Sequence, residues 1–259
     1  NGTLTSTAHW FSAEADESYA LAWGDMDNDG DLDLAVGNWA ESNRVYLNQN
    51  GQLLAAATWS STEKDDTFSV AWADVNSDGY LDLAVGNYQQ PNKVYFNESG
   101  RLADEAGWQS AQSDATTSVA WADVNGDGFL DLAVGNEGQP NRLYVSNGSS
   151  LAITPQWSST ESDATRSLAW GDMNGDGQID LAVGNGGANQ GQVNRVYLNT
   201  GTTLAASASW SSSETDGTFS VAWGDMDNDG DLDLAAGNVV TFGGVTGSNR
   251  IYQNEGTSL

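Results

Sequence analysis

The chain has 259 residues with 8 Lys+Arg against 36 Asp+Glu, so its formal net charge at pH 7 is -28. Such a surface repels nucleic acid and anionic membranes and attracts cations, and no apolar run reaches the roughly 18 residues of a membrane span. The sequence therefore predicts no nucleic-acid partner and no membrane insertion, while a 10% aromatic content that includes 11 Trp favours a packed core over disorder.

Residues 1–10, which end at Trp10, are predicted to form a short strand, and they have no signal-peptide pattern. Five similar units follow it. Each contains "AWGD" or "AWAD", an acidic cluster, "AVGN" or "AAGN", an "NRVY"-like segment and, in all but the last, a closing Trp. Successive clusters begin 49, 49, 49 and 53 residues apart. The predicted units occupy about 17–59, 66–108, 115–157, 164–210 and 217–259.

Within a unit the apolar residues alternate with a period of two, which predicts strands. In "TFSVAWAD", Phe68, Val70 and Trp72 share one face and small residues share the other. "LDLAVGN", "NKVYFN" and a segment ending in Trp supply three further strands, with Gly, Asn, Asp and Ser between them as turns require. No segment shows helical periodicity. Each unit is therefore predicted to be a four-stranded antiparallel sheet.

Repeated four-stranded units are typical of β-propeller blades. We therefore expect an all-β fold, a single five-bladed β-propeller domain over 1–259. Its ring would be closed by the N-terminal strand, 1–10, pairing into the last blade, which would remove two exposed sheet edges. An open array and five blades of a larger ring are the alternatives.

The acidic clusters place oxygen donors at positions 1, 3, 5, 7 and 9 around an invariant Gly at position 6, with position 7 acting through its backbone carbonyl. Alternate oxygen ligands around a Gly-centred turn predict calcium, about five ions, one per blade. Position 12 is Val or Ala rather than Glu, so this is not an EF-hand. Solvated acidic turns are the alternative. The predicted ligands are Asp25, Asp27, Asp29, Asp31, Asp33; Asp74, Asn76, Asp78, Tyr80, Asp82; Asp123, Asn125, Asp127, Phe129, Asp131; Asp172, Asn174, Asp176, Gln178, Asp180; and Asp225, Asp227, Asp229, Asp231, Asp233.

The pattern Asp-x-Asp/Asn-x-Asp-Gly-x-Leu-Asp-Leu followed by "AVGN" resembles the FG-GAP/VCBS repeat family, the blade of integrin-α-like propellers. The resemblance covers essentially the whole chain. It implies a propeller with calcium between the first two strands of each blade, and an extracellular or cell-surface location. It carries no single function, because such propellers include adhesion receptors, lectins and accessory domains of enzymes.

Two other repeated positions leave alternatives open. Five basic residues either form internal ion pairs, with Glu63, Glu161 or Glu214 as candidate partners, or contact a ligand. A set of Trp residues either packs in the sheets or stacks on sugar rings, whereas Trp39 and Tyr88 lie in a variable loop and are predicted to be exposed ligand contacts. The basic set is Arg44, Lys93, Arg142, Arg195 and Arg250, and the Trp set is Trp59, Trp108, Trp157 and Trp210.

Catalysis is not predicted, since there is no Cys and the single His has no Ser/Asp constellation around it. The leading hypothesis is a multivalent, calcium-stabilised carbohydrate-binding propeller, because similar blades offer similar pockets. The alternative is a protein-interaction or adhesion domain of a larger secreted protein, with the loops after Asn185 and Asn238 as the contact surface. Either a monomer or a part of a larger chain is expected, with a glycan or cell-surface protein as partner.

Overall fold

The structure, a computed structural model, describes residues 4–187, 190–239 and 247–256. These residues contain no helix, and hence none that could cross a bilayer, and their strands form five antiparallel sheets. The first three sheets contain β1 (Ser18–Gly24), β2 (Asp33–Asn38), β3 (Arg44–Tyr46) and β4 (Trp59–Ser60); β5 (Thr67–Ala73), β6 (Asp82–Asn87), β7 (Lys93–Tyr95) and β8 (Trp108–Gln109); and β9 (Thr116–Ala122), β10 (Asp131–Asn136), β11 (Arg142–Tyr144) and β12 (Trp157–Ser158). The last two contain β13 (Thr165–Gly171), β14 (Asp180–Gly187), β15 (Gln190–Gly191), β16 (Arg195–Tyr197) and β17 (Trp210–Ser211); and β18 (Gly217–Gly224), β19 (Asp233–Val239) and β20 (Arg250–Tyr252).

The first strand of every blade carries a β-bulge close to its start. In β1, Ser18 pairs with Asn38 and Ala20 with Gly37, so Tyr19 is the extra residue. A bulge bends the strand and re-aims the side chain of the extra residue. The bulged residues of the five blades are Tyr19, Phe68, Thr117, Arg166 and Phe219.

Neighbouring blades pack large side chains against small ones. The indole N–H of Trp72 donates to the carbonyl oxygen of Ala22 in the preceding blade at 3.2 Å. A Cβ on Gly24 would lie 2.6 Å from the Trp72 ring, so only a small residue leaves room for it. Trp121 and Trp223 repeat this contact on the blades before them. The alternation of bulky and small residues in the first strand is therefore the blade-to-blade interface.

The closing Trp of each unit also bridges two blades. The Trp59 ring meets Tyr95 of the next blade edge to face at 5.0 Å between centroids, and its indole N–H donates to the carbonyl oxygen of Ala103 at 3.0 Å. Trp10 makes the same two contacts on the first blade, with Tyr46 and with the Leu54 carbonyl. The N-terminal segment therefore occupies the place of a fourth strand in front of blade 1.

The structure differs from the predicted ring closure. Among the described residues β20 pairs with β19 alone, so the last sheet has three strands and the N-terminal segment does not join it. The first strands pack in the series β1, β5, β9, β13 and β18, and β1 with β18 is not among the extensively packed pairs. The described residues therefore form a propeller-like array of five sheets in which no closed ring is detected.

Candidate functional site

The acidic loops join the first and second strands of each blade, at the end where Gly24 pairs with Asp33 in blade 1. The position-1 carboxylate organises each loop by accepting backbone N–H groups. In blade 1, Asp25 accepts from Asp29 at 3.1 Å and from Gly30 at 3.0 Å. Gly30 has a φ of 93°, a conformation that favours glycine. All five loops repeat the bond to the Gly N–H.

The Asp at position 9 anchors the loop to the sheet. Asp82 is fully buried, and its two oxygens accept the backbone N–H groups of Val75 at 3.0 Å and Asn97 at 2.7 Å. Burial raises the pKa of Asp82 to about 6 and that of Asp131 to about 6. The sequence predicted this residue only as a calcium ligand. In the structure its two hydrogen bonds also hold the loop against the sheet. That second role follows from its place in the buried second strand.

Calcium fits the donor set of these loops. Carboxylate oxygens of Asp25, Asp27 and Asp29 lie within 4.8 Å of one another, as do those of Asp225, Asp227 and Asp233. Burial and the neighbouring Asp29 charge raise the pKa of Asp27. No ion pair among the described residues uses a loop carboxylate. The loops of blades 1 and 5 thus hold clustered, oxygen-only, uncompensated charge, the chemistry that suits a hard cation.

The repeated basic residues form internal ion pairs. Arg44 Nε lies 2.5 Å from a carboxylate oxygen of Asp16, and Lys93 Nζ lies 2.5 Å from Asp65. Glu63 is a second partner of Lys93 at 3.4 Å. Glu214 is likewise a second partner of Arg250 at 3.8 Å. Two of the three predicted Glu partners therefore form ion pairs, but the main acid of each pair comes two residues later. The remaining pairs are Arg142 with Asp114, Arg195 with Asp163, and Arg250 with Asp216.

Glu63 and Glu161 also accept a hydrogen bond from the tyrosine two residues after the basic residue. The hydroxyl of Tyr95 donates to Glu63 at 3.0 Å, and that of Tyr197 donates to Glu161 at 3.0 Å. Burial first, and then the Glu63 charge, raise the pKa of Tyr95. These bonds tie the linker between two blades to the third strand of the second.

The repeated closing Trp residues are core residues and not exposed platforms. Trp59, Trp108 and Trp157 are buried, and Trp210 is half-buried against Tyr252. The rings of Trp59, Trp108 and Trp157 therefore offer no surface for a sugar ring to stack on, whereas Trp210 lines a pocket together with Trp223 and Tyr252.

Trp39 and Tyr88 belong to an aromatic cluster at the end of the blades opposite the acidic loops. Tyr19 and Phe68, the bulged residues of blades 1 and 2, complete it. Ring centroids lie 4.7 Å apart for Tyr19 and Phe68, 5.2 Å for Trp39 and Phe68, and 5.4 Å for Phe68 and Tyr88. We call these four residues the aromatic surface. Tyr19 is exposed and the other three are half-buried.

Charged residues extend the aromatic surface towards blades 3 to 5. Glu137 holds the position that Trp39 and Tyr88 hold in blades 1 and 2, and it pairs with the bulged Arg166. The Arg166 guanidinium also lies over the Phe219 ring, 5.6 Å from its centroid. Burial, followed by the charge of Glu137, raises the pKa of Tyr88. Sequence reasoning missed the bulged residues, although their signal was present: one varying position inside a nearly constant strand.

Of the two loops predicted as a contact surface, the one after Asn185 is described except at 188–189, and its backbone forms a short hairpin in which Gly186 of β14 pairs with Gly191 of β15. The loop after Asn238 lies largely outside the described residues, at 240–246.

A family model for the FG-GAP-like repeat matches residues 25–85, 74–134, 123–183 and 184–236. The chain belongs to this family. Each of the first three matched segments runs from one acidic loop into the second strand of the next blade, so the family pattern coincides with the repeat in the structure. A search among curated proteins finds no match.

Two solved structures share the fold. BBS1N, crystallised in complex with ARL6DN, is 15% identical, with a TM-score of 0.59 over 98% of this chain and 68% of that chain. The V. cholerae biofilm matrix protein Bap1 is 19% identical, with a TM-score of 0.55 over 88% of this chain and 37% of that chain. The chain therefore spans about two thirds of the first protein and little more than a third of the second.

Proposed function

We propose that this FG-GAP repeat chain is a calcium-stabilised extracellular binding domain, not an enzyme, and that it engages a partner protein through the aromatic surface. The aromatic surface is the observation that carries the proposal. It is one contiguous patch shared by blades 1 and 2, with Tyr19 exposed and the other three rings half-buried, and aromatic residues are enriched in interface cores. Exposed contiguous apolar patches mark interaction sites.

Calcium would be held by the side chains at positions 1, 3, 5 and 9 of each loop and by the position-7 carbonyl. These side chains supply 17 carboxylates, so five Ca²⁺ ions would change the formal charge from -28 to -18. Bound calcium would neutralise carboxylates that otherwise repel, and it would bind the folded loops in preference to the unfolded chain. Extracellular calcium modules bind at roughly 10⁻⁴ to 10⁻³ M, which suits sites that fill outside a cell.

The chemistry of the aromatic surface favours a partner with basic and apolar side chains. Glu17 accepts a hydrogen bond from the Tyr19 hydroxyl at 3.1 Å, and the chain as a whole is strongly acidic. Cations are attracted both to such carboxylates and to the faces of Trp and Tyr rings. A multivalent lectin has less support, because the closing Trp residues of blades 1 to 3 are buried and that of blade 4 is half-buried. Closure of the five blades into one ring stays a prediction.

Selection from a displayed random-peptide library, in millimolar calcium, tests this proposal. We expect enriched peptides that combine Lys or Arg with apolar residues and that lose binding to Trp39→Ser and Phe68→Ser. Ile153→Ser, which removes an exposed apolar side chain outside the aromatic surface, is the matched control and should retain binding. Peptides that bind both kinds of variant equally would contradict the proposal. So would a glycan array on which the wild-type chain binds a sugar and Trp39→Ser does not, because the partner class would then be carbohydrate.

A further inference from the structure

Hydrogen bonds that cross between blades connect neighbouring acidic loops, which are numbered here with their blades. In blade 4, the side-chain amide of Asn199 donates to the carbonyl oxygen of Val124, in loop 3, at 2.8 Å, and to that of Ile179, in loop 4, at 3.2 Å. Its backbone N–H donates to Asp180, position 9 of loop 4, at 2.8 Å. Asn199 is 6% exposed, so the bridge is shielded from water. One buried side chain therefore connects two of the loops predicted to bind calcium.

The bridge reaches loop 3 at the backbone that carries the predicted ligands. Val124 lies between Asp123 and Asn125, which are positions 1 and 3 of the loop. The N–H of Val124 donates to Asp131, position 9 of the same loop, at 3.2 Å, while its carbonyl accepts the amide of Asn199. A cation that draws positions 1, 3 and 9 together would therefore also orient the peptide groups of Val124, and with them the bridge to loop 4.

Two other pairs of loops have the same bridge. Asn97 of blade 2 donates its side-chain amide to the Met26 carbonyl of loop 1 at 2.8 Å, and its backbone N–H to position 9 of loop 2. Asn254 of blade 5 donates its side-chain amide to the Met173 carbonyl of loop 4 at 2.7 Å, and its backbone N–H to position 9 of loop 5. Loops 1 and 2 are therefore linked, and so are loops 3, 4 and 5.

The bridge between loops 2 and 3 is missing. Ser146 holds the bridging position in blade 3, and its backbone N–H donates to Asp131 at 2.8 Å as the pattern requires. Its side chain is one bond shorter than that of Asn, and its hydroxyl oxygen accepts the Gly148 N–H at 3.1 Å. Among the described residues no side chain of blade 3 donates to the carbonyl of Val75, position 2 of loop 2. The chain therefore supplies its own comparison between linked and unlinked neighbours.

We propose that Asn97, Asn199 and Asn254 are positioning residues that couple calcium binding between the loops they bridge, so that the five loops fill as one group of two and one group of three. This inference rests on the proposed calcium sites and concerns how they influence one another. An ordered loop presents its position-2 carbonyl to the Asn, and the Asn held there supports position 9 of the next loop. The second ion then has less of its loop left to order, which is positive coupling, and such coupling is reciprocal.

Hydrogen exchange followed by mass spectrometry across a calcium titration of the whole chain tests this proposal. The sequences of loops 2, 3 and 4 differ, so each loop gives its own calcium concentration for half-maximal protection. Asp127→Asn weakens loop 3 at an exposed residue and keeps an oxygen for the Phe129 N–H, which donates to Asp127 at 3.0 Å. In this variant the half-maximal concentration of loop 4 should rise by about two- to tenfold, the effect of about one hydrogen bond. That of loop 2, the unlinked neighbour, should stay at the wild-type value.

Substitution of the bridge itself completes the cycle. Asn199→Ser gives blade 4 the residue that blade 3 carries at this position, and in its background Asp127→Asn should no longer shift loop 4. Ser146→Ala is the matched control, because Ser146 has no bond across the interface, and it should leave the shift of loop 4 unchanged. Asp176→Asn needs no buried substitution. It weakens loop 4 at an exposed residue and should raise the half-maximal concentration of loop 3 by the same factor.

The outcomes separate the coupling from the calcium sites. Equal shifts in loops 2 and 4, or no shift in either, would overturn the coupling while leaving calcium binding intact. A shift of loop 4 that persists in Asn199→Ser would also overturn it, because the effect would then pass through blade packing and not through the bridge. A wild-type chain whose loops gain no protection with calcium would overturn the proposed calcium sites and the coupling together.

Discussion

Replacement of Asp29 by Asn tests whether the acidic loops are calcium sites. The substitution keeps the oxygen that accepts the Asp31 N–H at 2.9 Å, so the loop keeps that bond, and it removes one of the three clustered charges of blade 1. Compared with the wild type, the variant should be no less stable in chelator and should be less stable in calcium.

The magnitudes follow from the geometry. Oxygens of Asp25, Asp27 and Asp29 lie within 4.8 Å of one another, and two unit charges at that separation repel by about 1 kcal/mol in water before salt screening. In chelator the variant should therefore be as stable as the wild type or slightly more stable. A site with a dissociation constant of about 10⁻⁴ M contributes about 2 kcal/mol at about 5 mM calcium. Five equal sites make the loss of one about a fifth of the calcium effect.

Calorimetry of the wild type and of Asp29→Asn, each in chelator and in millimolar calcium, measures this loss of about a fifth of the calcium effect. For a chain of this size, one site corresponds to about 5 to 9 °C in Tm. Asp27→Asn is the matched control, since Asn76, Asn125 and Asn174 already occupy this position in blades 2 to 4, and it should keep most of the calcium effect. If Asp29→Asn shows the full wild-type rise in Tm with calcium, or if the wild type shows none, the loops are acidic turns and the calcium proposal fails.

Two further substitutions test an internal ion pair and a glycine with a positive φ. Arg142→Met leaves the largely buried Asp114 carboxylate without its partner and should lower the free energy of unfolding by about 2 to 3 kcal/mol, less than a fully buried pair would lose. Urea denaturation measures this loss. Arg101→Met is the control, because its exposed ion pair should contribute nothing measurable to the free energy of unfolding. Gly128→Ala should cost about 1 to 2 kcal/mol through its φ of 88° alone, because its Cβ would meet no atom. Gly224→Ala, also free of contacts but without a positive φ, should cost much less in the same titration, and equal losses would refute the backbone argument.

The sheets could be predicted because their determinants are local and repeated. Alternation in "TFSVAWAD" and the turn chemistry of the acidic clusters placed β5 and the loop after it from a few residues of sequence. The family resemblance is confirmed by the family-model match across the chain. The sequence could not show which of two chemically equivalent acids is the main ion-pair partner of each basic residue. Asp65 and Glu63 lie two residues apart, and only the course of the backbone decides which of them meets Lys93 at 2.5 Å.

The bulge and the exposure of each Trp were harder to predict from the sequence, for a related reason. A period-two pattern assigns Phe68 to the same face as Val70, whereas the bulge between Thr67 and Ser69 frees Phe68 to join Trp39 at the end of the blade. The pattern also cannot separate a Trp that faces solvent from one that faces the next blade. Trp23 and Trp72 lie in similar sequences, "LAWGD" and "VAWAD", yet Trp23 is exposed whereas Trp72 is half-buried against the preceding blade.

The two ends of each blade vary differently, and the structure supplies the reason. At the acidic end, position 1 binds the Gly N–H and position 9 accepts two backbone N–H groups, so a change at either residue breaks the fold of the loop as well as any metal site. At the aromatic end, the bulged residue is the extra residue of its strand and lies outside the strand ladder. It can be Tyr19, Phe68 or Arg166 without disturbing the sheet. A surface free to vary, on blades whose other end is held constant, is where a repeat array can acquire a single specific partner.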